Sequence, residues 1–195
     1  KALVSSTNTK LRIACILDDF SMQCFSYECE LILVKPDNWK SELTNKKPHF
    51  LFVESAWNGN RGHWKYKIIN QNNQVNPQLI NLVQWCRRHK VPTVFWNKED
   101  PSGFNKFIES AKLFDYIFTT DEDMIENYRK MIGHNNIFTL QFAAQPKIHN
   151  PIRTGDERKS RLCFQGSFYA NKHEERRLDM TIMLEAAAPF GLDIY

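Results

Sequence analysis

The sequence lacks any apolar run long enough to cross a bilayer as a helix. Stretches such as Leu31 to Val34 and Phe50 to Val53 are a few residues long, against the ~20 that a transmembrane helix needs. It also lacks the even, closely spaced cysteines of a small secreted scaffold. The five cysteines, Cys15, Cys24, Cys29, Cys86 and Cys163, are odd in number and scattered, which reads as free thiols in a reducing compartment. No Asn-x-Ser/Thr acceptor and no charged-then-apolar leader occurs, so a cytoplasmic location is expected. Gly-x-Gly-x-x-Gly and Walker patterns are missing; Asn58-Gly59-Asn60-Arg61-Gly62 has only a superficial likeness to them. The histidines offer no i, i+4 pair and Cys24 and Cys29 have no partner pair, so no metal is expected. Without a Gly-x-Ser-x-Gly elbow, a hydrolase nucleophile has no support. Charge of one sign is scarce as well. The 26 Lys and Arg exceed the 22 Asp and Glu by little and are spread along the 195 residues, which argues against a nucleic-acid partner.

What is abundant is aromatic side chain, 13% of residues with 14 Phe, enough for a large core or an aromatic-lined cleft. Residues 1–10 are polar and unpatterned, a loose lead-in. Short apolar runs then alternate with helical patterns. Leu11 to Leu17, Glu30 to Val34, His49 to Val53, Pro92 to Trp96, Tyr116 to Thr119 and Asn136 to Phe142 read as strands. Several are continuously apolar, as strands buried on both faces of a parallel sheet are. Asn76-Pro77 opens a helix with Leu79, Val83 and Cys86 on one face. Phe104, Phe107, Ile108 and Ala111 mark another, and Met124 to Ile132 a third, between Asp121 and Gly133. Such alternation predicts βαβ units and a parallel α/β sheet with right-handed crossovers.

From Gln145 to Ser160 the pattern lapses into prolines, a glycine and a charge run, which places a linker over residues 147–160 between a domain at 11–146 and a further segment at 161–195. That segment reads as a strand at Arg161 to Gln165, a Gly166-Ser167 turn, a helix from about Asn171 to Ala188 and a strand from Leu192 to Tyr195. It has the form of the start of a second α/β domain whose remainder is missing. Its open strand is expected to pack back on the first domain or to pair with another copy.

In an open parallel sheet ligands gather beyond the carboxyl ends of the strands. The residues there are Asp18, Asp19, Phe20 and Ser21; Glu54 to Gly59; Asn97 to Asp100; and Thr120 to Glu122. Carboxylates, amides and tryptophans suit a sugar-like ligand. Each also has a plainer role. Asp121 is most simply a helix cap, and Asp100, before Pro101, could cap a helix from Ser102. Asp18 and Asp19 could be turn residues or caps, although adjacent carboxylates are costly unless solvated or paired. Glu54 ends an apolar strand and is either desolvated and useful or paired with a base such as Lys98. Trp57 and Trp64 could be ligand platforms or packing. Gly166-Ser167, with Tyr169, Lys172, His173, Arg176 and Arg177 close by in sequence, could receive an anion at a helix N-terminus, or the charge run could be a solvated helix face.

Taken in order, DDFS (18–21), FVESAWNGN (52–60), FWNKEDP (95–101) and CFQGSFYANKHEERRLDM (163–180) resemble the CgeB (spore maturation protein) group of GT-B glycosyltransferases, over about Leu11 to Tyr195. The resemblance implies a Rossmann-like acceptor domain and the start of a nucleotide-sugar donor domain, with no metal or other cofactor. By motif, Asp18, Asp19, Glu54, Trp57, Asn58, Lys98 and Glu99 would lie on the acceptor side, with Asp19 or Glu99 as base or orienting group. Gly166, Ser167 and Arg176 would begin the donor side. The acidic residue that usually grips the donor ribose in such enzymes is not among these residues, so this chain by itself is expected to be inactive. The partners implied are a nucleotide sugar and a glycan or small-molecule acceptor, in the making of a bacterial surface or spore-coat glycan. A catalytically silent α/β binding module is the competing expectation.

Overall fold

The computed structural model describes residues 10–72, 74–152, 155, 161–168 and 174–195. Residues 1–9 of the expected lead-in, residues 153, 154 and 156–160 of the linker, and Tyr169, Asn171, Lys172 and His173 lie outside the described residues. The chain divides into two compact units between Asn150 and Pro151.

In the first unit β1 (Leu11–Ile16), α1 (Asp19–Ser26), β2 (Cys29–Leu33), α2 (Trp39–Lys46), β3 (Phe50–Glu54), α3 (Pro77–Arg88), β4 (Thr93–Asn97), α4 (Phe104–Ala111), β5 (Tyr116–Thr119), α5 (Ile125–Ile132) and β6 (Ile137–Thr139) follow one another. All six strands are parallel, in the order β2-β1-β3-β4-β5-β6. This is the Rossmann-like α/β architecture that the alternating pattern predicts. Strand residues point alternately to two cores. Ile16, Leu51, Val53, Phe95 and Ile117 meet apolar side chains from α2, α3, α4 and α5. Cys15, Leu17, Phe52 and Trp96 face the other way, where α1 supplies Met22 and Phe25. Because α1 is the one named helix on that side, Leu11, Tyr116 and Phe138 stay exposed along the rest of the sheet face.

The local signals work as written for α3, whose Asn76 side chain accepts the Gln78 N–H while Pro77 takes the first turn. Asp121 caps the short 3-10 turn Glu122–Met124 that leads into α5, and Gly133, at φ 80°, ends that helix. Two expectations are corrected. The last strand stops at Thr139 instead of running to Phe142: Leu140 still donates to Thr119, but the chain then leaves the sheet and crosses toward α1. Asp100 does not cap a helix from Ser102. That helix starts at Phe104, and the Asp100 carboxylate is engaged elsewhere, as described below.

The segment after β3 makes the closest approach to the sheet. A Cβ on Gly59 would lie 2.6 Å from Ile16 Cγ2, so only glycine lets this turn rest on β1. Asn60 and Arg61 follow in the left-handed region at φ 50° and 59°, which asparagine tolerates better than most residues. Trp64 is fully buried, and its indole N–H donates to the Val34 carbonyl at 2.8 Å. It is a core residue and not a ligand platform.

In the second unit β7 (Leu162–Phe164) and β8 (Leu192–Ile194) pair in parallel across α6 (Glu174–Ala187). Arg161 and Asp193 form an ion pair at 3.0 Å beside this pairing. Met180, Leu184 and Ala187 of α6 share a groove with Leu162 and Leu192, yet no residue of α6 is buried.

Candidate functional site

The chain leaves β1 toward β2 on one side, and β3 lies on the other. This makes the carboxyl ends of β1 and β3 the topological switch point, where open α/β sheets hold their ligands. Three charged side chains meet there from three strand ends. Lys98 Nζ lies 2.5 Å from Asp18 Oδ2 and 3.0 Å from Glu54 Oε2, and it also donates to Ser21 Oγ at 3.0 Å. The Asp18 backbone N–H donates to Glu54 Oε1, and the Lys98 N–H donates to Ser55 Oγ at 2.8 Å. Asp18 Oδ1 accepts the Ser21 N–H at 2.8 Å and so caps α1.

Burial differs sharply within the trio. The Glu54 side chain is fully enclosed, that of Lys98 is 7% exposed, and that of Asp18 is 41% exposed. Burial is the largest influence on Asp18 and pushes its carboxyl up, but the Lys98 ammonium and the Ser21 N–H outweigh it and hold Asp18 below the usual carboxylate value. For Glu54 burial wins, helped by the Asp18 charge and opposed by Lys98, so its carboxyl is raised. Among the described residues Glu54 Oε2 has no hydrogen-bonding partner and meets the Lys98 ammonium as an ion pair at 3.0 Å. The outcome is one ionised carboxylate presented to solvent above a buried counter-charge.

A second network fixes the turn that carries Lys98. Asn97 Nδ2 donates to Asp100 Oδ1 at 2.8 Å and to the Tyr128 hydroxyl at 2.7 Å. Tyr128 and Thr119 donate to Asp100 Oδ2 at 2.8 and 2.7 Å. Asn97 Oδ1 accepts the Glu99 N–H at 3.1 Å. Lys98 and Glu99 are therefore held between two anchored residues. Burial pushes the Asp100 carboxyl up against the pull of the Thr119 and Tyr128 hydroxyls.

Of the residues singled out from the sequence, Asp18, Glu54 and Lys98 are brought together. Glu99 follows Lys98, half-buried, and its carboxylate has no hydrogen bond or ion pair among the described residues. Asp19 is separated from its neighbour: exposed in the first turn of α1, it lines a different hollow with Gln23, Leu31 and Arg61. Trp57 stands edge-on to Phe107 and Tyr66, with Lys106 Nζ 4.8 Å from its ring centre. Asn58 is exposed beside it. No hydrogen bond or ion pair joins Asp19, Trp57 or Asn58 to the trio. In the second unit Gly166 and Ser167 are exposed after β7, and Arg176 lines the groove with Phe164 and Asp179. Ser21, Ser55 and Asn97, already among the strand-end residues, take their roles here, Ser21 and Ser55 holding Lys98 from two sides and Asn97 fixing its turn; Tyr128 is an addition from the structure. Among the described residues no group of three His, Cys, Asp or Glu side chains is placed to hold a metal ion, and no helix is long and apolar enough to cross a membrane.

Because the folded Asp18 carboxyl lies below its unfolded value, its stabilising contribution is fully present above about pH 3.9 and is lost as pH falls through the folded value. Asp18→Asn is expected to flatten the acid limb of stability between roughly pH 5 and pH 2, measured as the urea midpoint against pH. An unchanged acid limb would show that Lys98 does not hold Asp18 ionised.

Fold and site together define a parallel α/β protein with a charged crevice at its switch point. A comparison with protein-family models found no match, and a comparison with curated proteins found none either.

Proposed function

We propose that this chain is the acceptor-side domain, with the opening of the donor domain, of a cytoplasmic GT-B-like glycosyltransferase. The transferase moves a sugar from a nucleotide-sugar donor to an acceptor hydroxyl. The observation that carries the reading is Asp18: a half-exposed carboxylate at the switch point, kept ionised by a buried lysine. Such a group accepts hydrogen bonds from a polyhydroxyl acceptor without having to lose a proton first. Its depressed pKa makes it a poor base, so its part is to orient the acceptor. Glu99, whose carboxylate has no hydrogen bond or ion pair among the described residues, is left as the proton acceptor. The acceptor oxygen attacks the anomeric carbon, its proton passes to Glu99, and the bond to the leaving diphosphate breaks. Gly166, Ser167 and Arg176 of the second unit are assigned to the donor, where a small-residue turn and a guanidinium suit a diphosphate. Asp19, Trp57 and Asn58, which share no bond with the trio, keep no role in this mechanism.

The test is release of free nucleotide from a panel of nucleotide sugars by the full-length protein, with and without glycan acceptors. Acceptor-dependent release from one donor is expected. Asp18→Asn should lower it by roughly ten- to a hundredfold, the worth of a hydrogen bond to a charged group, and Glu99→Gln should lower it further. Silence across the panel would leave a non-catalytic binding module as the reading; full activity in both variants would remove Asp18 and Glu99 from the mechanism.

A further inference from the structure

Beside the charged trio lies a cavity of about 320 Å³ whose wall includes Phe20, Ser21, Cys24, Phe25, Trp96 and Phe142. It exists because the chain crosses back over the sheet after β6. One end of that crossing is pinned by the Trp96 indole N–H, which donates to the Leu140 carbonyl at 2.8 Å. The other end is pinned by Gln145, nearly buried, whose amide donates to the Cys24 carbonyl at 3.1 Å and to Glu28 Oε1 at 3.0 Å. Between the pins, residues 141–144 form no backbone hydrogen bond among the described residues. Phe25 stands edge-on to Trp96 at 6.3 Å, and Phe142 is tilted against Trp96 at 5.5 Å. Phe20 and Phe142 are nevertheless 51% and 58% exposed, large rings on the wall of a hollow that has room for about ten water-sized groups.

Two residues belong both to this wall and to the surroundings of the trio. Ser21 accepts from Lys98, and Lys98 Nζ lies 5.6 Å from the Trp96 ring centre. A ligand seated against the rings therefore has a charged, hydrogen-bonding neighbour at one end, a mainly apolar wall along its length, and the mutually paired Gln145 and Glu28 at the other end. Resting on the transferase reading, we infer that the acceptor is amphipathic: a hydroxyl-bearing part reaches the Asp18 end, and a flat apolar part, of the aryl-glycoside kind, fills the cavity under the crossing segment. Aromatic walls favour a flat ring by stacking and edge contacts. A plain sugar would leave this surface wet.

Cys24, partly exposed in the cavity wall, gives a direct readout, with exposed Cys163 as the internal reference. Alkylation by iodoacetamide is followed peptide by peptide in the mass spectrometer, with millimolar phenyl β-glucoside or methyl β-glucoside as probe. The expected result is slowing of Cys24 by fivefold or more with the phenyl glucoside, an unchanged Cys163, and little effect of the methyl glucoside. In saturation-transfer NMR the phenyl protons should be the most strongly saturated, and Phe142→Ser should abolish the effect. Equal protection by both glucosides, protection by neither, or equal slowing of both cysteines overturns the proposal, as does a Cys24 that fails to react while Cys163 does. The outcomes separate from those of the nucleotide-release test. Protection without release keeps the cavity as a binding site and removes the transferase; release without protection removes the amphipathic acceptor alone.

Discussion

Lys98→Met is expected to cost about 3–5 kcal/mol of stability, the range found when one partner of a buried ion pair is removed. The loss follows from what the lysine leaves behind. Glu54 is fully enclosed, and Lys98 is the opposite charge that meets one of its oxygens; Ser21 Oγ and Asp18 Oδ2 lose their donor at the same time. The buried carboxylate then has either to stay charged without a partner or to take up a proton. Urea unfolding of the variant at pH 7 measures the loss. Adding Glu54→Gln should return about 2 kcal/mol or more, because the double variant holds no uncompensated buried charge while the glutamine oxygen still accepts the Asp18 N–H. The pH dependence has a fixed sign. Glu54 is already raised by burial, and without the ammonium its folded pKa climbs further. A carboxyl raised in the folded state is most favourable below its unfolded value, about 4.3, and stability is lost as pH rises through the folded value. The deficit of Lys98→Met relative to wild type should therefore shrink as pH is lowered from about 7 toward 5. A deficit under about 1 kcal/mol that does not change with pH would mean the trio behaves as an exposed surface pair.

Asn60 is expected to be nearly as sensitive, for a different reason. It is 2% exposed and completes the ends of β1 and β2 with its own amide. Its Oδ1 accepts the Leu17 N–H at 3.0 Å, and its Nδ2 donates to the Cys15 and Val34 carbonyls at 2.7 and 2.8 Å. Val34 keeps the Trp64 indole and Cys15 keeps a longer bond from the Val34 N–H, 3.4 Å, but the Leu17 N–H is orphaned when Asn60 is removed. An unpaired buried donor costs about 1–3 kcal/mol. The backbone at φ 50° adds about 1–2 kcal/mol for an ordinary L-residue in the left-handed region. Asn60→Ala combines both costs, and Asn60→Gly bears mainly the first. The expected ordering is wild type, then Gly, then Ala, with the last two separated by about 1 kcal/mol in denaturant midpoints. Equal losses for Gly and Ala would show that the left-handed backbone carries no strain here.

The parts of this molecule that sequence periodicity reveals are those whose burial is regular. β1, β3 and β4 are apolar on both faces because both faces are covered near the sheet centre, and α3 carries both its cap and its stripe. α1 and α2 leave weaker traces. α1 opens with adjacent acids that also suit a turn and buries only Ser21 and Met22, and α2 buries only Trp39 and Leu43. The site was legible where one residue's predicament points to another. A glutamate at the end of an apolar strand needs a cation, and Lys98 was the natural partner. That Asp18 and not Asp19 joins them is decided by the start of α1, where one acid caps the helix and the next turns out to solvent. The Asn97–Asp100–Thr119–Tyr128 network was not legible, because its members converge from β4, β5 and α5 and share no spacing. Asn60 was hidden likewise, since its role depends on a left-handed backbone that no local pattern announces.

The strand order has a consequence for how the chain comes together. Ile13 pairs with Phe50 across the whole of α1, β2 and α2, whereas β4, β5 and β6 each add beside the strand just before them. The two longest loops both close on β3, from Ile13 to Phe50 and from Leu51 to Thr93, and these are the costly entropic steps; β5 and β6 close loops of about half that length. Growth from β3 onward is accretion at a single open edge. The first unit can in this way assemble in the order in which it is synthesised, with each new strand finding its template already formed.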